Sequence, residues 1–211
     1  MKKVKFIVFI CLFILLPLAY FNGFIRISDL TSEQESIAKK YGGVYVFDEK
    51  LEKEIDKREE ERRIMTKGLS GKKLAENRYA VDMTPVNEKL PRVLSNGKKY
   101  YVTTRDYGND FKKQAWIPER YSDLIVNYIG DDYNKFKPSM SFIYFYVENN
   151  EIVPISLSVT YTYKVAKFGL YGDEASGIRF KEIYYSYVLS GNRFEFINNK
   201  FEKVSTSDKD K

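Results

Sequence analysis

Histidine is absent from this 211-residue chain, and cysteine occurs only once. Without histidine the chain has no Ser-His-Asp or Cys-His catalytic arrangement and no imidazole ligand for zinc. It also lacks the side chain best suited to proton transfer near neutral pH. A single cysteine forms no disulfide within the chain, so the fold is held by its core alone. No glycine-rich phosphate loop or serine-nucleophile motif stands in a fitting context. These absences argue against the commonest hydrolase mechanisms.

An apolar run over residues 6–21 follows three lysines within the first five residues. This is the layout of an export signal. A helix of about 16 residues is roughly 24 Å long, between the core of a cleaved signal peptide and a full membrane span. The two candidate cleavage sites place Pro17 or Phe21 where a small residue is needed. The run therefore favours an uncleaved signal anchor, with a cleaved signal peptide as the alternative.

The charges on either side of this run predict its orientation. Three lysines precede the run and only Arg26 closely follows it, which directs the N-terminus to the cytoplasm. We expect a single pass through the cytoplasmic (inner) membrane with the C-terminal domain outside the cytoplasm. Cleavage would instead give a soluble periplasmic or secreted protein. Cys11 is preceded by Ile10, not by the small residue of a lipoprotein signal, so we do not expect lipidation there.

The remaining chain divides by composition. We expect a signal anchor or signal peptide over residues 1–21, a charged helical segment over 22–68, an exported α+β domain over 69–204 and a disordered tail over 205–211. Three of the 35 Lys and Arg residues belong to the N-terminal region, which leaves 32 against 29 Asp and Glu. A surface with such mixed charge does not predict a nucleic-acid partner.

Helices are predicted early in the chain. A capping box at Thr31 and Gln34, or at Ser32 and Glu35, begins a short helix that Gly42 and Gly43 end. The charged run that ends at Gly68 reads as a helix with a sparse apolar stripe, solvated or used for docking. Its expected four-residue ion pairs are Glu49–Lys53, Glu54–Arg58 and Glu59–Arg63. One more helix is predicted near Pro118–Tyr128.

Strands are predicted mainly in the final third. The turn at Asn96-Gly97 predicts a hairpin. Residues 139–147 are apolar on both faces, as in a central strand. Residues 154–165 alternate, with Leu157, Val159, Tyr161, Tyr163 and Val165 on one face. Turns are predicted at Asn149-Asn150 and at Asn198-Asn199, and the later segments complete an antiparallel meander. We therefore predict an α+β fold: an N-terminal membrane anchor or signal, short helices, then a C-terminal antiparallel β-meander sheet.

Aromatic residues are the first candidates for function, because the chain has 18 Tyr and 15 Phe. Tyrosine is enriched at protein interfaces, but it is also a good strand former, so core packing is the competing interpretation. Adjacent Tyr184 and Tyr185 cannot both point into one core. For the only tryptophan, core packing is favoured over a ligand platform. The interface candidates are Tyr184, Tyr185, Tyr161, Tyr163 and Trp116.

Paired carboxylates are the second set of candidates. Two carboxylates across a cleft could hydrolyse a glycosidic bond without histidine. Acidic loop residues are, however, usually solvated turn formers. None has the spacing of a calcium-binding loop, and we predict no metal and no cofactor. The candidate carboxylates are Asp131, Asp132, Asp173 and Glu174.

The sequence favours a non-enzymatic, membrane-tethered domain that binds another exported or envelope protein. An immunity or inhibitor protein against a secreted toxin and a subunit of an envelope assembly fit this expectation about equally. The membrane contact is made by residues 6–21. The alternative is a carboxylate-dependent glycoside hydrolase or a binder of cell-wall carbohydrate, with Trp116 and exposed tyrosines stacking on sugar rings. A purely structural spacer is the least favoured function.

Overall fold

The computed structural model describes residues 2–23, 25–75, 78–175 and 177–204. The predicted tail, 205–211, lies outside the described residues. The helices are α1 (Lys2–Ile10), a π-helical turn (Cys11–Leu15), α2 (Leu16–Phe21), α3 (Ser32–Tyr41), α4 (Glu49–Lys67), α5 (Thr84–Lys89), α6 (Thr104–Phe111), α7 (Glu119–Ile129) and α8 (Asp132–Lys135). The strands are β1 (Ile25–Ser28), β2 (Gly43–Val46), β3 (Lys72–Ala75), β4 (Arg78–Ala80), β5 (Tyr100–Tyr101), β6 (Ser139–Glu148), β7 (Glu151–Thr160), β8 (Thr162–Tyr171), β9 (Arg179–Tyr187), β10 (Asn192–Ile197) and β11 (Lys200–Val204). Among these described residues, no helix is both long enough and apolar enough to cross a membrane.

The predicted start of α3 and the predicted existence of α4 are confirmed. Thr31 Oγ1 accepts a hydrogen bond from the Gln34 amide at 3.2 Å, and Gln34 Oε1 accepts one from the Thr31 amide at 3.0 Å, which completes the capping box. Asp48 caps α4 by accepting from the Leu51 amide at 2.9 Å. Both caps are formed by side chains close in sequence, and only the cap of α3 was predicted.

The ion pairs on α4 are confirmed in part. Glu49–Lys53 and Glu54–Arg58 form as predicted. Arg63 pairs with Glu60, because Glu59 is engaged by Arg92 from outside the helix. The third predicted pair is therefore wrong, and its cause is a tertiary contact.

The larger sheet has six strands in the order β11-β10-β2-β7-β6-β5. Tyr45 of β2 stands between Leu157 of β7 and Phe194 of β10 in register, and its ring stacks on that of Phe194 at 4.5 Å. Helices α3 and α7 cover these residues with Ile37 and Ile125, among others. A separate cluster forms where Ile55 of α4 meets Ile155, Leu94 and Tyr100. Apolar burial thus joins the early helices to the late strands.

The smaller sheet has three strands in the order β1-β8-β9, and we call it the neck sheet. All its pairings are antiparallel. It begins where the apolar N-terminal helices end: the ring centroids of Tyr20 in α2 and Phe168 in β8 are 6.4 Å apart. A Cβ on Gly169 would lie 3.0 Å from the Gly23 Cα, so the backbones also approach closely here. The neck sheet therefore lies between α2 and the six-stranded body.

The fold is α+β, as predicted, but the single antiparallel meander is wrong. The predicted strand 154–165 is two strands that belong to different sheets, with Tyr161 between them. β2 also inserts between β7 and β10, and it pairs with β10 in parallel. The alternation of side chains continues across Tyr161, because a period of two describes the faces of a strand and not its neighbours. The pattern therefore could not reveal the change of sheet.

Two further differences are local. One helix was predicted near residues 118–128, and the segment around it contains α6 and α8 as well as α7. Thr103 caps α6, because its hydroxyl oxygen accepts a hydrogen bond from the Asp106 amide at 3.1 Å. The hairpin at Asn96-Gly97 is reduced to an isolated bridge between Val93 and Lys99. The next residue, Tyr100, donates its amide to the Arg92 carbonyl at 3.1 Å and also pairs with β6 on its other side. The predicted turns at 149–150 and 198–199 are both present, with positive φ at each asparagine.

Gly43 joins α3 to the sheet and is the glycine where a side chain should cost most. Its φ is +144°, and a Cβ there would lie 2.1 Å from the carbonyl oxygen of Asn192. We expect Gly43→Ala to lower the free energy of unfolding by at least ~3 kcal/mol, since the backbone of β10 would have to move. Chemical denaturation followed by circular dichroism measures this.

Gly97 provides the matched control for this substitution. Its φ is also positive, at +81°, but a Cβ there would meet nothing within 4 Å. Gly97→Ala should therefore cost only the conformational strain, about 1 kcal/mol. Equal losses for the two variants would contradict the close approach of β2 and β10.

Candidate interaction surface

The two faces of the neck sheet differ in what covers them along β8, whereas most side chains on both faces of β9 are exposed. On one face, Val165 is buried and Tyr163 packs against the core of the body. The other face carries Ile27, Ile183 and Tyr185, with Ile183 56% exposed and Tyr185 69% exposed. We call this second side the exposed face. Apolar side chains that remain exposed side by side on a sheet are typical of an interaction surface.

The register arranges the exposed face in rows. Ile27, Ala166 and Ile183 stand directly across from one another on β1, β8 and β9. In the neighbouring rows, Lys164 stands opposite Tyr185, with its Nζ 5.9 Å from the ring centroid. Lys181 likewise lies 5.7 Å from the Phe168 ring centroid. Long cationic side chains thus lie over aromatic rings, where the attraction between cation and ring is favourable.

The outer edge of β9 carries backbone groups without a neighbouring strand among the described residues. The Val188 amide donates to the Tyr161 carbonyl at 3.0 Å, and the Asp29 amide donates to the Lys164 carbonyl at 3.1 Å. In an antiparallel ladder, residues that bond to one neighbouring strand alternate with residues whose N–H and C=O groups face away from it. Counting back in steps of two from Val188, Ser186, Tyr184 and Glu182 bond to β8. The outward-facing residues are Lys181, Ile183, Tyr185 and Tyr187.

β9 is the longest strand at an edge of the two larger sheets. It has nine residues, whereas β1 has four, β5 has two and β11 has five. Exposed edge strands invite pairing with another chain, and proteins usually keep them short. A long open edge beside an exposed apolar face is therefore the most distinctive feature of this surface.

The five aromatic candidates are placed differently by the structure. Tyr161 is 1% exposed, and its ring centroid is 5.1 Å from that of Phe136. Burial, with nearby Tyr41 and Asp132, raises the pKa of Tyr161 well above its ordinary value, so this phenol stays neutral. Tyr163 packs on the same core. Tyr184 and Tyr185 lie on opposite faces of β9, at 37% and 69% exposure.

Trp116 is 69% exposed, so the favoured prediction of core packing is wrong. It lines an open cavity of about 480 Å³ together with Gln114, Arg120 and Glu151, among other residues. Arg120 and Glu151 form an ion pair at 3.2 Å within this cavity. Trp116 lies in the irregular connection between α6 and α7, where no helix or strand periodicity could have indicated its exposure.

The candidate carboxylates lie in separate parts of the fold, and none lines the Trp116 cavity. Asp131 precedes α8 and Asp132 is its first residue, where a hydrogen bond from Lys135 and another from Tyr41 lower the pKa of Asp132. Asp173 and Glu174 belong to the connection between β8 and β9, and Asp173 Oδ1 accepts from the Ala175 amide at 3.0 Å. The structure does not bring the two pairs together.

A second cavity, of about 490 Å³, lies beside α6 and is lined by charged groups that pair with each other. Arg92 contacts Asp106 at 3.1 Å and Glu59 at 2.9 Å, and the Tyr100 hydroxyl donates to Glu59 at 2.8 Å. Burial alone would raise the pKa of Glu59, but the hydrogen bonds from Arg92 and Tyr100 outweigh it and hold that pKa below its ordinary value. These groups fix α4 against β5, and Glu59 stays ionised.

Within residues 2–23, 25–75, 78–175 and 177–204, no group of three or more Cys, Asp or Glu side chains is placed to hold a metal ion. The comparisons with known proteins add no assignment. No family model, no curated protein and no solved structure matches this chain significantly.

The different placement of Tyr161 and Tyr185 predicts different costs on truncation. Tyr161→Ala removes a buried ring and should lower the free energy of unfolding by about 3–5 kcal/mol. Tyr185→Ala changes an exposed residue and should alter it by less than about 0.5 kcal/mol. Chemical denaturation of the two variants measures both values. A large loss for Tyr185→Ala would mean that this face is covered within the chain.

Proposed function

We propose that this protein is a non-enzymatic domain, tethered to the membrane and held outside the cytoplasm, that binds another exported or envelope protein through its neck sheet. The exposed face around Ile183 and Tyr185 carries the proposal. Apolar and aromatic side chains in the centre of a patch are the usual anchors of protein interfaces. Immunity against a secreted toxin and a place in an envelope assembly both require only such a surface in the right compartment.

The tether is supported by the first 21 residues. Lysines precede the apolar run, and Phe6, Phe13 and Leu16 are each more than half exposed, as lipid-facing side chains would be. The neck sheet begins directly after α2, so a tether at this helix would hold the exposed face close to the membrane surface. A partner confined to the same envelope would then meet it at a high effective concentration.

The absence of catalysis is part of the proposal. The chain has no histidine, and its one thiol lies in the apolar run. Among the described carboxylates, Asp106 and Glu59 are ion-paired with Arg92, and Asp132 is ion-paired with Lys135. A catalytic acid or base needs access to a substrate and a pKa suited to proton transfer. These ion pairs instead favour a structural role for the three carboxylates.

A carbohydrate-binding function is the second candidate, and the exposure of Trp116 favours it. An exposed indole beside the amide of Gln114 and the charges of Arg120 and Glu151 offers a stacking platform with polar partners. Because Trp116 is the only tryptophan, its fluorescence reports this cavity directly. Soluble cell-wall glycan fragments should shift its emission if this function holds, and the absence of a shift at saturating glycan would remove it.

Site-specific photo-crosslinking in cells tests the favoured function. A photoreactive phenylalanine at position 185 should capture a discrete protein partner, because this side chain stands on the exposed face. The same residue at position 64 is the control, since Ile64 is similarly exposed but belongs to α4 and not to the neck sheet. We expect the captured product to be at least ~10-fold more abundant from position 185, the ratio that about 1.4 kcal/mol of preferential binding produces.

Two further readouts decide the parts of the proposal separately. Mass spectrometry of the membrane fraction should find residues 6–21 intact; a mature protein that starts near Tyr20 would remove the tether but not the binding. Equal capture at positions 185 and 64, or none at either, would contradict a partner at the neck sheet. Ile183→Ser should weaken capture at position 185 and leave the circular dichroism spectrum unchanged.

A further inference from the structure

The open edge of β9 points to how a partner would bind. We infer that the neck sheet is completed by an extended, acidic segment of the partner protein, which adds to β9 as a fourth strand; this inference rests on the proposed protein-binding function. Strand addition uses backbone hydrogen bonds for affinity and alternate side chains for specificity. Both elements are present on β9 at the same residues.

The backbone groups and the exposed side chains coincide. Ile183, Tyr185 and Tyr187 direct their N–H and C=O groups outward, and their side chains lie on the exposed face. A strand placed about 4.8 Å beyond β9 would form hydrogen bonds with these backbone groups. It would also add one side chain to each row of cross-strand neighbours on the exposed face. Apolar residues of the added strand would then cover Ile183 and Tyr185, which the described chain leaves uncovered.

The charges of the exposed face select an acidic strand. By register, Lys164 of β8 and Lys181 of β9 lie on this face, and alternation along β9 places Arg179 there too. The β8 and β9 positions on this face carry no acidic residue, and Glu182 lies on the opposite face. Asp29, which follows β1 and stands beside Lys164, has its Oδ1 engaged by the Lys164 amide at 2.8 Å. Opposite charges on neighbouring strands are favourable and like charges are not. Asp or Glu alternating with apolar residues is therefore the expected chemistry of the partner segment.

Two other occupants fit the edge less well. An antiparallel second copy of this chain would carry its apolar N-terminal helices at the opposite end of the neck, and one membrane cannot hold both tethers. A parallel second copy in register would set Arg179 and Lys181 beside their own counterparts, which repel each other. The hydrocarbon of a lipid bilayer cannot hydrogen-bond the outward N–H and C=O groups of Ile183 and Tyr185.

Synthetic peptides test the inference on the full chain in detergent micelles. The probe is a fluorescent ten-residue peptide of alternating Val and Glu, and the control replaces each Glu by Lys. Fluorescence anisotropy should show binding of the Glu peptide at least ~10-fold tighter than that of the Lys peptide, the ratio expected from about 1.4 kcal/mol of charge preference.

The backbone contribution is isolated by a matched pair of substitutions. Ile183→Ala and Ile183→Pro both remove the apolar side chain, but only Pro removes the outward N–H. Proline is tolerated at an edge position whose N–H faces solvent, so the β8–β9 ladder should persist in both variants. We expect Ile183→Pro to bind the Glu peptide at least ~5-fold more weakly than Ile183→Ala, for one lost hydrogen bond of about 1 kcal/mol.

The outcomes separate this inference from the proposed function. Equal peptide affinity of the Ala and Pro variants, or no binding of the Glu peptide, would overturn strand addition, while capture of a partner at position 185 would leave the protein-binding function standing. Loss of peptide binding on adding lipid vesicles would assign the edge to the membrane. A dimer that Ile183→Pro dissociates would assign it to a second copy. Either result would overturn the inference.

Discussion

Tyr161 is the residue on which the two parts of the structure depend. The chain leaves the six-stranded sheet with β7 and enters the neck sheet with β8 at this position, where the side chain is buried against Phe136. Its carbonyl also accepts the Val188 amide, so β8 begins and β9 ends at one buried point. The root of the β8–β9 hairpin is therefore held by the core of the body, whereas most side chains of β9 remain exposed. A rigid root and an exposed strand are what a docking surface requires.

The same arrangement separates the two candidate surfaces. β7 runs from the Trp116 cavity, which Ile152 lines, to the junction at Tyr161. Nine residue steps along a strand correspond to about 30 Å. The neck sheet, next to α2, and the Trp116 cavity therefore lie at different ends of the body. A protein partner at the neck and a glycan at the cavity would not compete for space, so the two functions can be tested independently.

Sequence patterns predicted what is local and missed what is distant. The capping box at Thr31, the charged helix α4 and the paired-asparagine turns follow from residues within four positions of one another, and all three are present. The insertion of β2 beside β10 joins residues about 150 positions apart, and the Glu59–Arg92 pair joins residues 33 apart. No periodicity encodes such contacts. For the interface candidates, alternation placed Tyr184 and Tyr185 on opposite faces, but it could not show which face the body covers.

The central claim is that β9 is a folded strand with one open edge, and residue-resolved amide hydrogen exchange of the free, full-length protein tests it most directly. The account predicts an alternating pattern. The amides of Lys181, Ile183 and Tyr185 should exchange at least ~10-fold faster than those of Glu182, Tyr184 and Ser186, which bond to β8. Uniform protection along β9 would mean that the edge is already covered. Uniformly fast exchange would mean that the strand does not form, and either result would contradict the account.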